Sequence, residues 1–158
     1  MKIYVKTNIW SIRGTMTFTD ELEKPLYFSK MNIFAGGATV STPEKADILR
    51  LKQSMWTGNF SITDMRTKKL VGKCKPKLLT LKTGTMKVDL NGQPFTVKGS
   101  FFAFQFTIVN AAGETVVTAN KKLMSWGDAY EIDIHDTQAI LPEYIVALCV
   151  IFNAKRKQ

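Results

Sequence analysis

The chain carries one histidine, His135, between Asp133 and Asp136. A histidine paired with a carboxylate can move protons in catalysis. No Ser or Cys nucleophile motif accompanies it, and Cys149 lies inside a run of apolar residues. A metal would need two or three further ligands at suitable spacing, which a single histidine does not supply. Gly72-Lys73 has the form of the end of a phosphate-binding loop. It lacks both the upstream glycine and the Ser or Thr that should follow the lysine, where Cys74 stands instead. Trp126-Gly127-Asp128 reads as a turn with a packed indole. These residues predict no catalytic group, no metal and no cofactor.

The stronger chemical signal is charge. The 158 residues carry a formal net charge of +9. Between Met65 and Val88 stand Arg66, Lys68, Lys69, Lys73, Lys75, Lys77, Lys82 and Lys87, with no acidic residue among them. Such an imbalance favours anionic partners, either membrane headgroups or nucleic acid. Lys73, Lys75 and Lys77 alternate with Cys74 and Pro76. In a strand this spacing puts the three ammonium groups on one face and Cys74 on the other. Pro76 cannot donate a ladder hydrogen bond and suggests an edge or a bulge. The candidate anion-binding residues are therefore Lys73, Lys75, Lys77, Lys82 and Lys87. The bland alternative is a solvated strand face that protects an edge from aggregation. Single-stranded nucleic acid is disfavoured because the segment has no aromatic residue on which bases could stack.

Strands must position these lysines, because most of the chain alternates with period two. Met16 and Phe18 alternate with threonines, and Phe60 and Ile62 with Asn59, Ser61 and Thr63. Phe102, Phe104, Phe106 and Ile108 share a face, as do Tyr130, Ile132 and Ile134. Asn91-Gly92 suits a tight hairpin, since both residues tolerate positive φ. Asn110 to Gly113 and Ser125 to Asp128 also read as turns. Residues 35–47 have the weakest pattern and predict a loop-rich connection. A faint repeat joins an alternating strand to Asp or Asn, a turn and a second strand. Its anchors Asp20, Asp64 and Asn110 are 44 and 46 residues apart. In so short a chain this favours a barrel of repeated hairpins over a propeller.

The C-terminus breaks the β pattern. Tyr144 to Phe152 is entirely apolar, Pro142 and Glu143 precede it, and Lys155-Arg156-Lys157 follow. Proline and acid at the start and basic residues at the end suit a helix. The run is too short to cross a bilayer, which needs about 20 residues. A helix apolar all round must be enclosed all round, and the β-sheet is the available container.

The stretch Lys121 to Ile134 (KKLMSWGDAYEIDI), followed by that helix, resembles the LURP-one-related family of the Tubby C-terminal-like superfamily, which also holds the phospholipid scramblases. Phe60 to Asp64 and Phe95 to Ser100 are similar to its repeated strand motifs. The resemblance runs from about Asn59 to Asn153. Met31 to Trp56 departs from the family pattern, and Asn153 stands where many relatives have Asp. It implies a mainly β fold, a closed antiparallel barrel of about twelve strands around a buried hydrophobic C-terminal helix. Tubby domains bind phosphoinositides through basic barrel residues, and scramblases act at membranes. The lipid-binding residues of Tubby domains have no one-to-one match here, so none is carried over.

One barrel domain over residues 1–158 is expected. Met1 to Gly14 lacks an unbroken apolar core for a secretory leader. Cys74 and Cys149 have no metal-type or CxxC spacing. Both features point to a reducing, cytoplasmic setting with buried free thiols and no transmembrane segment. The expected function is a non-enzymatic module that contacts an anionic phospholipid or membrane surface. The alternatives are a nucleic-acid-associated protein using the same lysines, or a small-ligand carrier or enzyme at the barrel mouth.

Overall fold

The computed structural model describes residues 1–6, 14–32, 36–75, 84–100 and 103–156. Strands β1 (Lys2–Lys6), β2 (Thr15–Thr19), β3 (Pro25–Asn32), β4 (Gly37–Ser41), β5 (Asp47–Gln53) and β6 (Phe60–Asp64) form the first half. Strands β7 (Leu70–Cys74), β8 (Gly84–Leu90), β9 (Gln93–Ser100), β10 (Gln105–Val109), β11 (Thr115–Met124) and β12 (Gly127–Ile134) form the second. Each strand pairs antiparallel with its chain neighbours, and β1 pairs with β12 from Lys2–Asp133 to Lys6–Ala129. The sheet is therefore a closed twelve-stranded meander. Closure removes every free edge, so β7 is not the edge strand that Pro76 suggested. It is bulged, with a register shift opposite Ile62 and Thr63. Pro76 itself lies outside the described residues.

Helix α1 (Pro142–Arg156) fills the barrel. Every residue from Tyr144 to Ala154 is buried, including Leu148 and Cys149 at 0% exposure. The inward residues of the strands meet it, and the Phe106 and Phe152 rings pack edge to face with centroids 5.3 Å apart. An unbroken apolar sequence is required because the sheet surrounds the helix on all sides.

Alternation sorts the strands as expected. Met16, Phe18, Phe60, Ile62, Phe106, Ile108, Ile132 and Ile134 all point inward and are buried. Two expectations need correction. Residues 37–41 are not loop but strand β4, with Ala38 and Val40 buried and Thr39 between them. Its pattern is faint because its inward residues are small. A Cβ on Gly37 would collide with the carbonyl oxygen of Leu51 on β5. Phe104 is not in a strand. It sits in a turn at φ 51°, fully buried, and its ring stacks on Tyr130 at 4.9 Å. Phe102 lies outside the described residues.

The repeat anchors do one job three times. The Asp20 carboxylate accepts hydrogen bonds from the N–H groups of Leu22 and Lys24 in the β2–β3 turn. Asp64 accepts from the Arg66 N–H in the β6–β7 turn. Asn110 accepts from Ala112 and Glu114 in the β10–β11 turn. A short side chain that caps the backbone two residues on is the standard chemistry of such turns. The repeat unit is thus four strands, used three times around the barrel. The Asn91-Gly92 hairpin is as expected, with φ values of 53° and 77°.

Candidate functional site

Strand β6 has two dissimilar ends. At Asp64 the charges are paired. The Arg66 guanidinium donates to both Asp64 carboxylate oxygens, at 3.1 and 2.8 Å, and to Glu143 of α1 at 2.5 Å. This hydrogen bond to Arg66 holds the Asp64 carboxyl below its ordinary range. Arg66 therefore ties the barrel to the start of its central helix. It belongs to the basic segment in sequence but is engaged in structure. Lys68 and Lys69 lie in the same turn and are exposed.

At the Phe60 end the cations have no ion pair among the described residues. Lys52 on β5 stands opposite Ser61 on β6, Ser61 opposite Lys73 on β7, and Lys73 opposite Asp89 on β8. These residues form one outward row across four strands. Cys74 is buried, and Lys73 and Lys75 are exposed on either side of it. The alternation expected around Cys74 therefore holds, although β7 ends at Cys74 and Lys75 lies just beyond it. Lys52, Lys73 and Lys75 make no ion pair among the described residues. The Asp89 carboxylate instead accepts a hydrogen bond from the Gly92 N–H at 3.1 Å.

A cleft of about 550 Å³ opens at this end. Its lining includes Lys52, Lys73, Lys75, Trp56 and Met55, with Phe60 and Cys74 as apolar neighbours, and among the described residues it contains no carboxylate and no histidine. Of the five candidate lysines, Lys73 and Lys75 line it. Lys87 is exposed on β8, beside Val88, the partner of Cys74. Lys77 and Lys82 lie outside the described residues. Sequence reasoning missed Lys52, Met55 and Trp56, which lie before the basic segment and reach it only through the β5–β6–β7 register.

The other candidates resolve into structural roles. The Nδ1 of His135 lies 3.1 Å from the Thr115 carbonyl, and Nε2 lies 3.3 Å from the Thr118 hydroxyl. A carbonyl only accepts, so Nδ1 donates to it, and Nε2 shares a hydrogen bond with the Thr118 hydroxyl. The ring thus clamps the end of β12 to β11. The Trp126 indole packs edge to face on Tyr4 and lies under the Lys6 ammonium. Its N–H donates to the Glu21 carbonyl at 3.2 Å. This is the packed turn expected of it. Cys74 and Cys149 are both buried, and burial pushes the Cys149 thiol pKa far up. Among the described residues no group of His, Cys, Asp and Glu could hold a metal. No described helix is long and apolar enough to cross a membrane.

A profile of the LURP-one-related family matches residues 1–153. The chain belongs to the LURP-one-related family. The match takes in Met31 to Trp56, so the departure read there does not take that stretch outside the LURP-one-related pattern. An X-ray structure of a protein from Arabidopsis thaliana superposes with a TM-score of 0.67 at 16% identity. The alignment covers 97% of this chain and 90% of that one. At this identity the likeness shows the shared barrel fold alone. None of the curated proteins compared matches the chain.

Proposed function

We propose that this LURP-one-related barrel is a non-catalytic module that binds anionic phospholipid surfaces through the lysines around the Phe60 end of β6. The observation that carries the reading is the cleft lined by Lys52, Lys73 and Lys75, with no carboxylate among its described residues. Unpaired ammonium groups repel one another, and an anion lying across them relieves that repulsion. A lysine at an anionic membrane surface contributes about 1 kcal/mol, and less as salt screens it. Several together suffice for reversible association without a lipid anchor. The central helix fills the barrel, which disfavours a carrier or enzyme with its site inside. His135 bridges two strands with no nucleophile motif beside it, and burial disfavours the Cys149 thiolate.

Single-stranded nucleic acid is the second reading, because Trp56 supplies the aromatic face that the basic segment itself lacks. One indole offers a single stacking platform, whereas such proteins use a succession of them. Lipid is therefore preferred.

Sedimentation with vesicles tests the proposal. The protein should bind vesicles rich in acidic lipid, bind neutral ones weakly, and lose affinity as salt rises. A variant with Lys73, Lys75, Lys77, Lys82 and Lys87 all changed to Gln should stay folded and stop sedimenting. Indifference to acidic vesicles at low salt would sink the lipid reading. Undiminished binding by the variant would move the contact elsewhere.

A further inference from the structure

Met55 and Trp56 are the most exposed large apolar side chains of the described residues, at 98% and 97%. They sit side by side at the tip of the β5–β6 loop. The base of that loop is closed by its own backbone. Ser54 N–H donates to the Asn59 carbonyl at 2.8 Å, and Gly58 N–H to the Ser54 carbonyl at 2.9 Å. The Ser54 and Thr57 hydroxyls accept from the Thr57 and Asn59 N–H groups. The tip is thus a defined turn that holds two apolar side chains away from the core. Nothing in the fold requires a Trp and a Met there, since neither packs inward.

The next most exposed, Leu22 and Leu123, have acidic neighbours. Leu22 stands between Glu21 and Glu23, and Leu123 is opposite Asp128. An anionic surface would meet like charge beside Leu22, and at Leu123 the Asp128 carboxylate already holds Lys121 in an ion pair. Met55 and Trp56 instead share their cleft with Lys52, Lys73 and Lys75 and with no acid. Charge complementarity therefore selects the surface that this tip can enter. Trp is suited to the boundary between headgroups and acyl chains, where its apolar ring is buried and its N–H stays hydrated. Met adds a flexible apolar chain that adapts to a disordered environment.

We propose that the Met55-Trp56 tip inserts into the interfacial zone of an anionic bilayer while Lys52, Lys73 and Lys75 rest on the headgroups. This rests on the lipid reading above and deepens it, because it adds a specific apolar contact to the electrostatic one. A surface held by lysines alone would release fully in salt. A surface with an inserted tip would keep a residual, salt-resistant component.

The test uses the full chain and vesicles of mixed neutral and acidic phospholipid, with and without brominated acyl chains. Three proteins are compared: wild type, Met55→Ser/Trp56→Ser, and the control Leu22→Ser. Brominated lipid should quench part of the wild-type tryptophan emission, and the double variant should lose that quenched component. The double variant should partition about tenfold or more less strongly, the expected scale for two part-buried apolar side chains. It should melt like wild type, because both positions are solvent-exposed. Leu22→Ser should bind as wild type does.

Equal binding by wild type and double variant, with no quenching of Trp56, would overturn the inserted tip and leave the lysine contact standing. Failure of the wild type to bind acidic vesicles would overturn the lipid reading and the tip together. In that case a Trp56-dependent affinity for a single-stranded oligonucleotide, or a Trp56-dependent dimer in sedimentation velocity, would assign the surface to a different partner.

Discussion

The two ends of β6 use basic residues in opposite ways. At Asp64, Arg66 bridges two carboxylates, and the Asp64 and Glu143 side chains are only 10% and 14% exposed. At Phe60, three lysines surround a cleft with no carboxylate and stay in solvent. Arg66 and Lys73 are seven residues apart and belong to the same unbroken basic segment. Charge density along the chain therefore does not distinguish a structural cation from an available one. Burial of the partner does. A carboxylate leaving water needs a partner of opposite charge, whereas an exposed lysine needs none and remains free to meet a ligand.

Both ends depend on the plug. Leu148→Asp would place a carboxylate at a position of 0% exposure among apolar neighbours. The cost should exceed about 4 kcal/mol, in the range reserved for unpaired buried charges. The variant should be insoluble or lack a cooperative melt. A soluble, cooperatively melting Leu148→Asp protein would mean that the helix is not the core.

Arg66→Met separates the two ends of β6. It leaves Asp64 and Glu143 without their partner and should destabilise by about 1–2 kcal/mol. The lower part of the usual range applies because the Arg66 side chain is itself 49% exposed. Acid should shrink the difference. Arg66 depresses the folded pKa of Asp64, so the pair stabilises the fold fully above the unfolded carboxyl pKa of about 3.9. That contribution fades as pH falls through the lower, folded value. Chemical denaturation at pH 7 and at pH 2–3, each value being roughly one side of that window, should show a gap that narrows in acid. Vesicle binding by Arg66→Met should match wild type. A loss of binding with the fold intact would make the Asp64 end part of the contact surface.

The smallest effect is expected from His135→Ala. The ring makes two hydrogen bonds at the surface, so stability should fall by no more than about 1 kcal/mol. Vesicle binding should be unchanged. Abolition of a measurable turnover, with the fold retained, would contradict the non-catalytic reading.

Legibility in the sequence followed the strength of the local signal. The helix was readable because nine consecutive residues, Tyr144 to Phe152, are apolar. The paired strands were readable where large residues alternate, and the repeat was readable because Asp20, Asp64 and Asn110 each cap their own turn. Strand β4 was not, because Gly37 and Ala38 are small where the neighbouring strand comes close. The candidate site was half legible. Lys73 and Lys75 announce themselves by alternation around Cys74. Lys52 joins them only because Ser61 pairs with both Lys52 and Lys73, and no spacing rule along the chain contains that register. The engagement of Arg66 was hidden for the same reason, since its partner Glu143 is 77 residues away.

Hydrogen exchange on the full chain, with and without acidic vesicles, tests the asymmetry of β6 most directly. Both ends carry a turn with exposed residues, Met55 to Thr57 on one side and Arg66 to Lys69 on the other, so both can report. Vesicles should slow exchange at the amides of Met55 to Gly58 and leave those of Arg66 to Lys68 as they are in solution. Slowing in the Arg66 turn, or no slowing at Met55 to Gly58 while the protein is bound, would contradict the placement of the membrane contact at the lysine-lined cleft.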